Sequence, residues 1–355
     1  MVSRALRQLG CGVALVAASL VRPSTAEACC PAFAADSRVA IANQEILIVW
    51  DEARHTEHFV RRAGFETASG RDFGFLVPTP TQPALAEAAS SVFDALAQTT
   101  APVPRPEYEV SFMPLVLYPL LLTMGRKSDE AATATASAVQ VLHRQTVAGY
   151  DAVVLEADDA EALARWLRDN GYDARPEIAE WARPYVAARW KITAFKYAGG
   201  ERQSGAEVAT SSVRLSFATD RPLFPYRVPT DQLAKPGAGH LLRVFFVSDG
   251  RFDGALGPAN ARWNASTNYA APVDGLAGKL AGAAPAESLE QARWLTVFDD
   301  STWPGGTEDL FFSRSKEQSK VIPTYAVPRN IPLPLDVLAA VGFVAFRIRK
   351  RRRRG

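Results

Sequence analysis

Cysteine, histidine and methionine are scarce, at three, four and three of 355 residues, and the scarcity removes several classes of function. Three cysteines cannot staple a disulfide scaffold of this size. Four histidines without an HExxH spacing carry no zinc-hydrolase signature. There is no GxSxG elbow and no GxGxxG after a strand, and Gly125-Arg126-Lys127-Ser128 lacks the Gly-Lys order of a phosphate loop. An uninterrupted apolar run of the about 20 residues that cross a bilayer comfortably is missing too. So is net charge, with 40 basic against 38 acidic side chains.

That near-neutrality is a cancellation. Residues 1–28 carry Arg4, Arg7, Arg22 and Glu27, a net of +2. Residues 335–355 carry seven basic side chains and Asp336, a net of +6, which leaves −6 on residues 29–334 from the total of +2. An acidic body argues against nucleic-acid binding, and basic, apolar ends fit export and membrane attachment.

At the N-terminus, Arg4 and Arg7 precede an apolar stretch from Leu9 to Val21, and Ala26-Glu27-Ala28 precedes Cys29. This is the order of a secretory signal peptide, predicted to span 1–28 and to be cleaved after Ala28. At the other end, Ile331 to Phe346 is apolar apart from Asp336 and runs into Arg347-Ile348-Arg349-Lys350 and further arginines. Sixteen residues make about 24 Å of helix against about 30 Å of hydrocarbon, a marginal length that snorkelling of Arg347 and Arg349 extends. The expectation is a single C-terminal membrane helix over 331–348, a cytoplasmic basic tail over 349–355 and the body outside the cytoplasm. A processed sorting tail is the competing reading.

Between the ends, Glu45 to Trp50 and Glu57 to Glu66 read as strands of a hairpin, and Asp72 to Val77 as a third strand stopped by Pro78-Thr79-Pro80. Leu85, Ala89, Val92, Phe93 and Leu96 predict one helix from about Pro83 to Thr99. Ser111 to Met124 is strongly apolar but interrupted by Pro114 and Pro119, which favours a buried or interface-forming strand pair; Lys127 to Ser137 reads as a connection. Further on, Val139 to His143 and Ala152 to Glu156 read as strands around Gly149-Tyr150, and Asp158 as a helix cap with Glu161 as its capping-box partner. That helix is expected to stop at Asn170-Gly171, and the next to open at Pro176 and break at Pro184 near Trp181. Strands follow at Trp190 to Tyr197, Val213 to Phe217, Leu241 to Val247 and Arg293 to Phe298. The expected class is α+β, largely antiparallel sheets with a few packed helices and a C-terminal anchor helix. A β-rich domain over 29–126 and an α+β domain over 139–320 are expected.

Several ordered blocks resemble a bacterial family known as domain of unknown function 2330. They are Ala28-Cys29-Cys30, DFGFLVPTP from Asp72, SSVFDALAQTTAP from Ser90, GYDAVVLEADDAEALARWLRDNGY from Gly149, ARPYVAARWKITAFK from Ala182 and VRLSFATDRPLFPYR from Val213. The resemblance implies an exported, often membrane-anchored protein without an established activity, so no catalytic residue carries over.

Chemistry-bearing residues remain few. Cys29 and Cys30 are adjacent, and a redox pair, a soft-metal site or a lipid anchor competes with a structural disulfide or plain thiols. His55 and His58, beside Glu52 and Glu57, have the spacing of a metal pair but no third ligand, and they fall in a hairpin turn where polar residues are expected anyway. Asp249 and Asp253 belong to a glycine-bearing loop, and Asp299, Asp300, Glu308 and Asp309 flank Trp303-Pro304-Gly305-Gly306. Such a cluster could hold Ca²⁺, act as an acid/base pair or contact a sugar-like ligand beside the Trp, although turns use the same residues. The reading is therefore a binding or interaction module of the cell envelope, requiring no cofactor. It is tethered to a membrane and directed at an envelope protein or surface polymer. An exported enzyme or redox protein using Cys29-Cys30 or Asp299-Asp300 is the alternative.

Overall fold

A computed structural model describes residues 31–33, 39–40, 44–67, 73–113, 146–172, 175–197, 207–209, 212–233 and 240–353. The architecture is α+β and strand-rich, with four sheets and six helices among those residues. The expected signal peptide, Cys29 and Cys30, most of the Ser111 to Met124 stretch, the 127–137 connection and the strand at Val139 to His143 lie outside them.

A five-stranded sheet runs in the order β1 (Pro31–Phe33), β5 (Phe73–Thr79), β10 (Lys191–Tyr197), β9 (Tyr150–Leu155) and β8 (Thr146–Val147), all antiparallel. The central sheet runs β17 (Ser266–Pro272), β18 (Trp294–Trp303), β14 (His240–Ser248), β3 (Gln44–Asp51), β4 (Thr56–Thr67), β12 (Ser212–Ala218) and β6 (Ala84–Ala88). The far end of β4 also pairs with β2 (Val39–Ala40) and β11 (Glu207–Ala209). A smaller sheet joins β13 (Leu223–Phe224), β19 (Leu310–Arg314), β15 (Phe252–Leu256) and β16 (Ala261–Arg262). Strands from 29–126 and from 139–320 interleave: β5 pairs with β10, β4 with β12, and β3 lies parallel to β14. Those stretches therefore build common sheets rather than one sheet system each.

Alternation along β3 explains the layering. Ile46, Ile48 and Trp50 face a core shared with Phe75 and Phe195 of the five-stranded sheet and Phe224, Phe252 and Phe312 of the smaller one. Leu47 and Val49 face the opposite way, onto α1 (Ser91–Thr99), α4 (Leu276–Lys279) and α5 (Ala286–Leu289) through Phe93, Leu96, Leu276 and Leu289. A strand buried on both faces needs a continuous apolar run, which is what EILIVW supplies. The outer face of the five-stranded sheet packs on α2 (Ala160–Asp169) and α3 (Pro176–Ala187) through Leu163, Leu167, Ile178 and Trp181.

Several local expectations change. The helix expected from Pro83 splits into β6 and α1, because Ala84 to Ala88 pairs with β12 and so completes the sheet edge. β5 continues through Pro78, where β10 lies on one side and the β1 pairing has already ended at Phe75, so the missing N–H forfeits no ladder bond on that other side. Asp159, not Asp158, caps α2 by accepting from the Ala162 N–H, while Gly171 ends it at φ +79°. α3 runs past Pro184 because Trp181, Ala182, Tyr185 and Val186 are all buried, which offsets the lost backbone bond.

The last sheet is a two-stranded ribbon. β7 (Val103–Met113) and β20 (Thr324–Pro334) run parallel in continuous register from Thr324 beside Val103 to Pro334 beside Met113. At about 3.3 Å per residue it is about 35 Å long. The Val103 N–H donates to the Pro323 carbonyl at 2.9 Å, so odd-numbered residues of both strands point inward. Pro104, Pro106, Pro328, Pro332 and Pro334 therefore fall on the outer edges, where they remove the donors another strand would use. α6 (Leu335–Arg352) follows directly. The helix thus starts at Leu335 rather than Ile331 and continues through the arginines, so its apolar part, Leu335 to Phe346, is about 18 Å long. No helix among the described residues is long and apolar enough to cross a membrane.

Candidate functional site

The carboxylates singled out around Trp303 engage in internal bonds. Asp299 receives Arg243 through both oxygens, Nε at 2.8 Å and a terminal nitrogen at 2.7 Å, a pair that the β14–β18 register sets directly opposite. Asp300 is fully buried. Its Oδ2 accepts from the Tyr226 hydroxyl at 2.7 Å and Trp263 Nε1 at 2.8 Å, and its Oδ1 from the Thr302 N–H and hydroxyl at 2.8 and 2.6 Å. Asp309 is buried as well and accepts from the Tyr185 hydroxyl at 2.7 Å and the Arg227 N–H at 3.2 Å; burial raises its pKa. Glu308 is exposed, 3.6 Å from Arg227. Asp249 pairs with Arg314 at 2.6 Å, and that guanidinium also holds Glu52 at 2.6 Å.

The two histidines of the hairpin part company. His55 is exposed in the turn, whereas His58 is buried in β4, its Nδ1 2.8 Å from the Ser216 hydroxyl and its Nε2 3.0 Å from the Ser288 hydroxyl. Among the described residues no group of three His, Cys, Asp or Glu side chains is placed to hold a metal. Burial, assisted by nearby Arg214, lowers the His58 pKa from 6.5 to about 4. The unfolded chain therefore binds the extra proton between those values. His58 contributes stability that is complete above pH 6.5 and lost as pH falls towards 4, worth about 3 kcal/mol in all. Thermal unfolding scanned from pH 7 to pH 4 should show this loss, and His58→Gln should flatten it.

A cleft of about 370 Å³ opens where the β3–β4 turn, the end of β5, the start of β10 and the segment after β12 meet. Its walls include His55, Thr81, Trp190, Asp220, Arg221 and Phe311. Arg221 lies over the Phe311 ring at 5.1 Å, with Nε donating to the Phe312 carbonyl at 3.1 Å and a terminal nitrogen to Asn260 Oδ1 at 2.8 Å. The Thr81 hydroxyl donates to the Ala218 carbonyl at 2.8 Å, and the Thr219 N–H to the His55 carbonyl at 2.9 Å. His55, Arg189 beside Trp190, and Asn260 all adopt left-handed backbone (φ 47°, 58° and 52°), three of the four non-glycine cases among the described residues. Such residues cost energy and persist only where surrounding contacts impose them, and here they gather around one cleft.

Beneath it lies Glu57, which alternation along β4 turns towards the aromatic core between Trp50 and Phe217. It is wholly buried; Oε2 accepts from the Leu223 N–H at 2.8 Å, and Oε1 has no hydrogen-bond partner. Burial pushes its pKa well above the usual carboxylate value. In the sequence Trp190 only opens a predicted strand and Glu57 only neighbours the two histidines, and no motif marks Thr81, Arg221 or Phe311. The sequence does mark strand boundaries at Pro80, at Ala188-Arg189 and at Asp220 to Pro222, but that these boundaries meet is a tertiary property.

The model of a family described as an uncharacterized protein conserved in bacteria (DUF2330) matches residues 23–293. No curated protein and no solved structure matches the chain.

Proposed function

Because this chain belongs to the uncharacterised bacterial family DUF2330, whose members lend it no activity, we propose from its own cleft that it is a binding module of the cell envelope. In this reading the body sits outside the cytoplasm and is held at a membrane by its C-terminal helix, and the cleft takes a saccharide segment of a surface polymer.

The observation that carries the reading is the make-up of the cleft. Trp190 and Phe311 offer flat apolar rings; Arg221, Asp220, Thr81 and His55 offer donors and acceptors around them. A sugar ring has the matching division, apolar C–H faces and a polar hydroxyl rim. Arg221 is already fixed by two hydrogen bonds and its ring contact, so little side-chain freedom is lost on binding. Three of the blocks that carry the family likeness, at Asp72 to Pro80, Ala182 to Lys196 and Val213 to Arg227, each supply a cleft residue.

Trp190→Ala and Arg221→Ala should each weaken binding to isolated cell-wall polysaccharide by about tenfold or more, measured by co-sedimentation. Binding to envelope protein in place of polysaccharide, or unchanged binding by both variants, would overturn the saccharide assignment.

A further inference from the structure

We propose that Ser216 is the nucleophile of an esterase site beside the cleft, with His58 as its base and Asp51, acting through Ser288, holding that base in its working tautomer. It removes acyl groups from hydroxyls of the saccharide, which rests on the cleft reading and deepens it.

Four elements contribute to one hydrogen-bonded chain. Asp51 ends β3, Ser288 lies in α5, His58 in β4 and Ser216 in β12. Ser288 bonds to Asp51, His58 Nε2 is 3.0 Å from the Ser288 hydroxyl, and His58 Nδ1 is 2.8 Å from the Ser216 hydroxyl. The β4–β12 register sets His58 directly opposite Ser216.

Asp51 fixes the direction of this chain. Burial alone would raise its pKa, but the Arg54 guanidinium at 2.7 Å, the Ser288 hydroxyl and the Arg54 N–H at 3.1 Å outweigh burial and hold it as a carboxylate. A carboxylate only accepts, so the Ser288 hydroxyl donates to it, and the Ser288 oxygen is left to accept from His58 Nε2–H. Burial keeps His58 neutral at pH 7, with a single N–H, so Nδ1 accepts from the Ser216 hydroxyl. The Ser216 proton therefore points at a base whose tautomer is set from behind. Nucleophile, base and orienting group stand in this relation in serine hydrolases of unrelated folds, which share geometry and not sequence.

Asp51, His58 and Ser288 are buried and Ser216 is half-buried, so the reactive end is the one that opens to solvent. Its neighbour on β6 is Ala84, exposed and too small to cover the hydroxyl. Val213, Leu215 and Phe217 turn into the aromatic core, which places Arg214, Ser216 and Ala218 on the other face of β12. Ala218 lines the cleft, and two residues along a strand span about 6.6 Å. Arg214 stands as far away on the other side, close enough to His58 to add to burial in lowering its pKa. A terminal nitrogen of Arg214 donates to the Gly282 carbonyl at 3.5 Å, while its Nε is buried without a hydrogen-bond partner. A cation with a spare donor beside the nucleophile is placed to meet the oxyanion of an ester under attack.

The chemistry then balances in two halves. Ser216 Oγ attacks the ester carbonyl carbon as its proton passes to His58 Nδ1; the bond from that carbon to the alcohol oxygen breaks, and the alcohol leaves with the proton. Water attacks the acyl-serine, one of its protons passes through His58 to Ser216 Oγ, and the carboxylic acid departs. In both halves the Asp51 charge, relayed by the Ser288 hydroxyl, steadies the transient imidazolium.

The test is to give the full chain p-nitrophenyl acetate, O-acetylated cell-wall polysaccharide and, separately, a fluorophosphonate probe whose site of attachment is mapped by peptide mass. The parent should release p-nitrophenol with an initial burst, free acetate from the polysaccharide and carry the probe on Ser216. Ser216→Ala should abolish all three. His58→Gln should lower kcat at least a hundredfold. Ser288→Ala should lower kcat about tenfold with KM unchanged, a split that a merely structural role would not produce. Thermal unfolding at pH 7 separates lost chemistry from lost folding; if His58→Gln misfolds, Ser216→Ala and Ser288→Ala decide. A parent that sediments with polysaccharide but shows neither turnover nor labelling, or labelling that persists in Ser216→Ala, would overturn the esterase site and leave the binding reading standing. Turnover of p-nitrophenyl acetate that depends on Ser216, in a parent that ignores polysaccharide, would uphold the nucleophile and overturn the saccharide as its substrate.

Discussion

Asp300→Ala is expected to cost about 3–5 kcal/mol, which for a body of this size lowers the thermal midpoint by roughly 5–8 °C. The magnitude follows from what the substitution strands. Asp300 is fully buried and accepts four hydrogen bonds, so its removal leaves the Tyr226 hydroxyl and Trp263 Nε1 as buried donors without an acceptor. It also releases the Thr302 N–H and hydroxyl at the end of β18. Asp300→Asn should be intermediate, because an amide keeps one accepting oxygen and turns an NH₂ towards donors. Tyr226→Phe should cost only about 1–2 kcal/mol, since the other three bonds to Asp300 remain. Denaturant unfolding of the three variants gives the order directly. Equal, small losses in all three would show that Asp300 is not the brace its bonds describe.

Glu57→Gln is expected to stabilise the protein at pH 8 and hardly at all at pH 4. Burial holds Glu57 protonated in the folded chain at pH values where the unfolded chain ionises it. Because its folded pKa lies above the unfolded value near 4.5, stability is fully present below that value and is lost as pH rises through the window up to the folded pKa. Glutamine cannot ionise and still accepts from the Leu223 N–H. Its unbonded NH₂ replaces a carboxyl O–H that also lacks a partner, so the packing cost is nearly neutral. Parallel unfolding curves for parent and variant from pH 4 to pH 8 would sink this account. A stabilised Glu57→Gln that loses saccharide binding would mark Glu57 as a group kept for the cleft at the expense of the fold, the usual trade at functional positions.

The strands legible in the sequence are those with a strong apolar or alternating run: β3, β4, β5, β9, β10, β12, β14 and the first half of β18. Helices α2 and α3 were legible from their end signals, Asn170-Gly171 and Pro176. Among the strands that escaped are β6, β15, β16, β17, β19 and β20, with sequences such as FDGAL and STNYAAP. Glycine, asparagine and proline dilute the pattern of β15, β17 and β20, while β16 and β19 are too short to show one, and their partners hold them as strands. Leu85 shows the same competition in reverse, matching a helical stripe locally yet lying opposite Leu215 in a sheet. The acidic cluster around Trp303 was visible as a cluster, but burial, which decides between a site and a brace, is a tertiary property. The cleft draws on Thr81, Trp190, Arg221 and Phe311, residues far apart in the chain that no local motif connects.

The place of β3 also bears on how the chain reaches this state. Its Gln44 to Val49 are flanked by β4, the next strand in sequence, and by β14, whose matching residues begin roughly 200 positions later at Leu242. A chain delivered N-terminus first can form the β3–β4 hairpin early, but one edge of its most apolar strand then waits until most of the body has arrived. Closing so long a loop costs entropy before the parallel pairing returns anything, a topology that folds slowly. During that wait the open edge is a pairing site for other chains. A holding factor that masks β3 until β14 arrives would therefore set the yield of this protein more than the stability of the finished fold does.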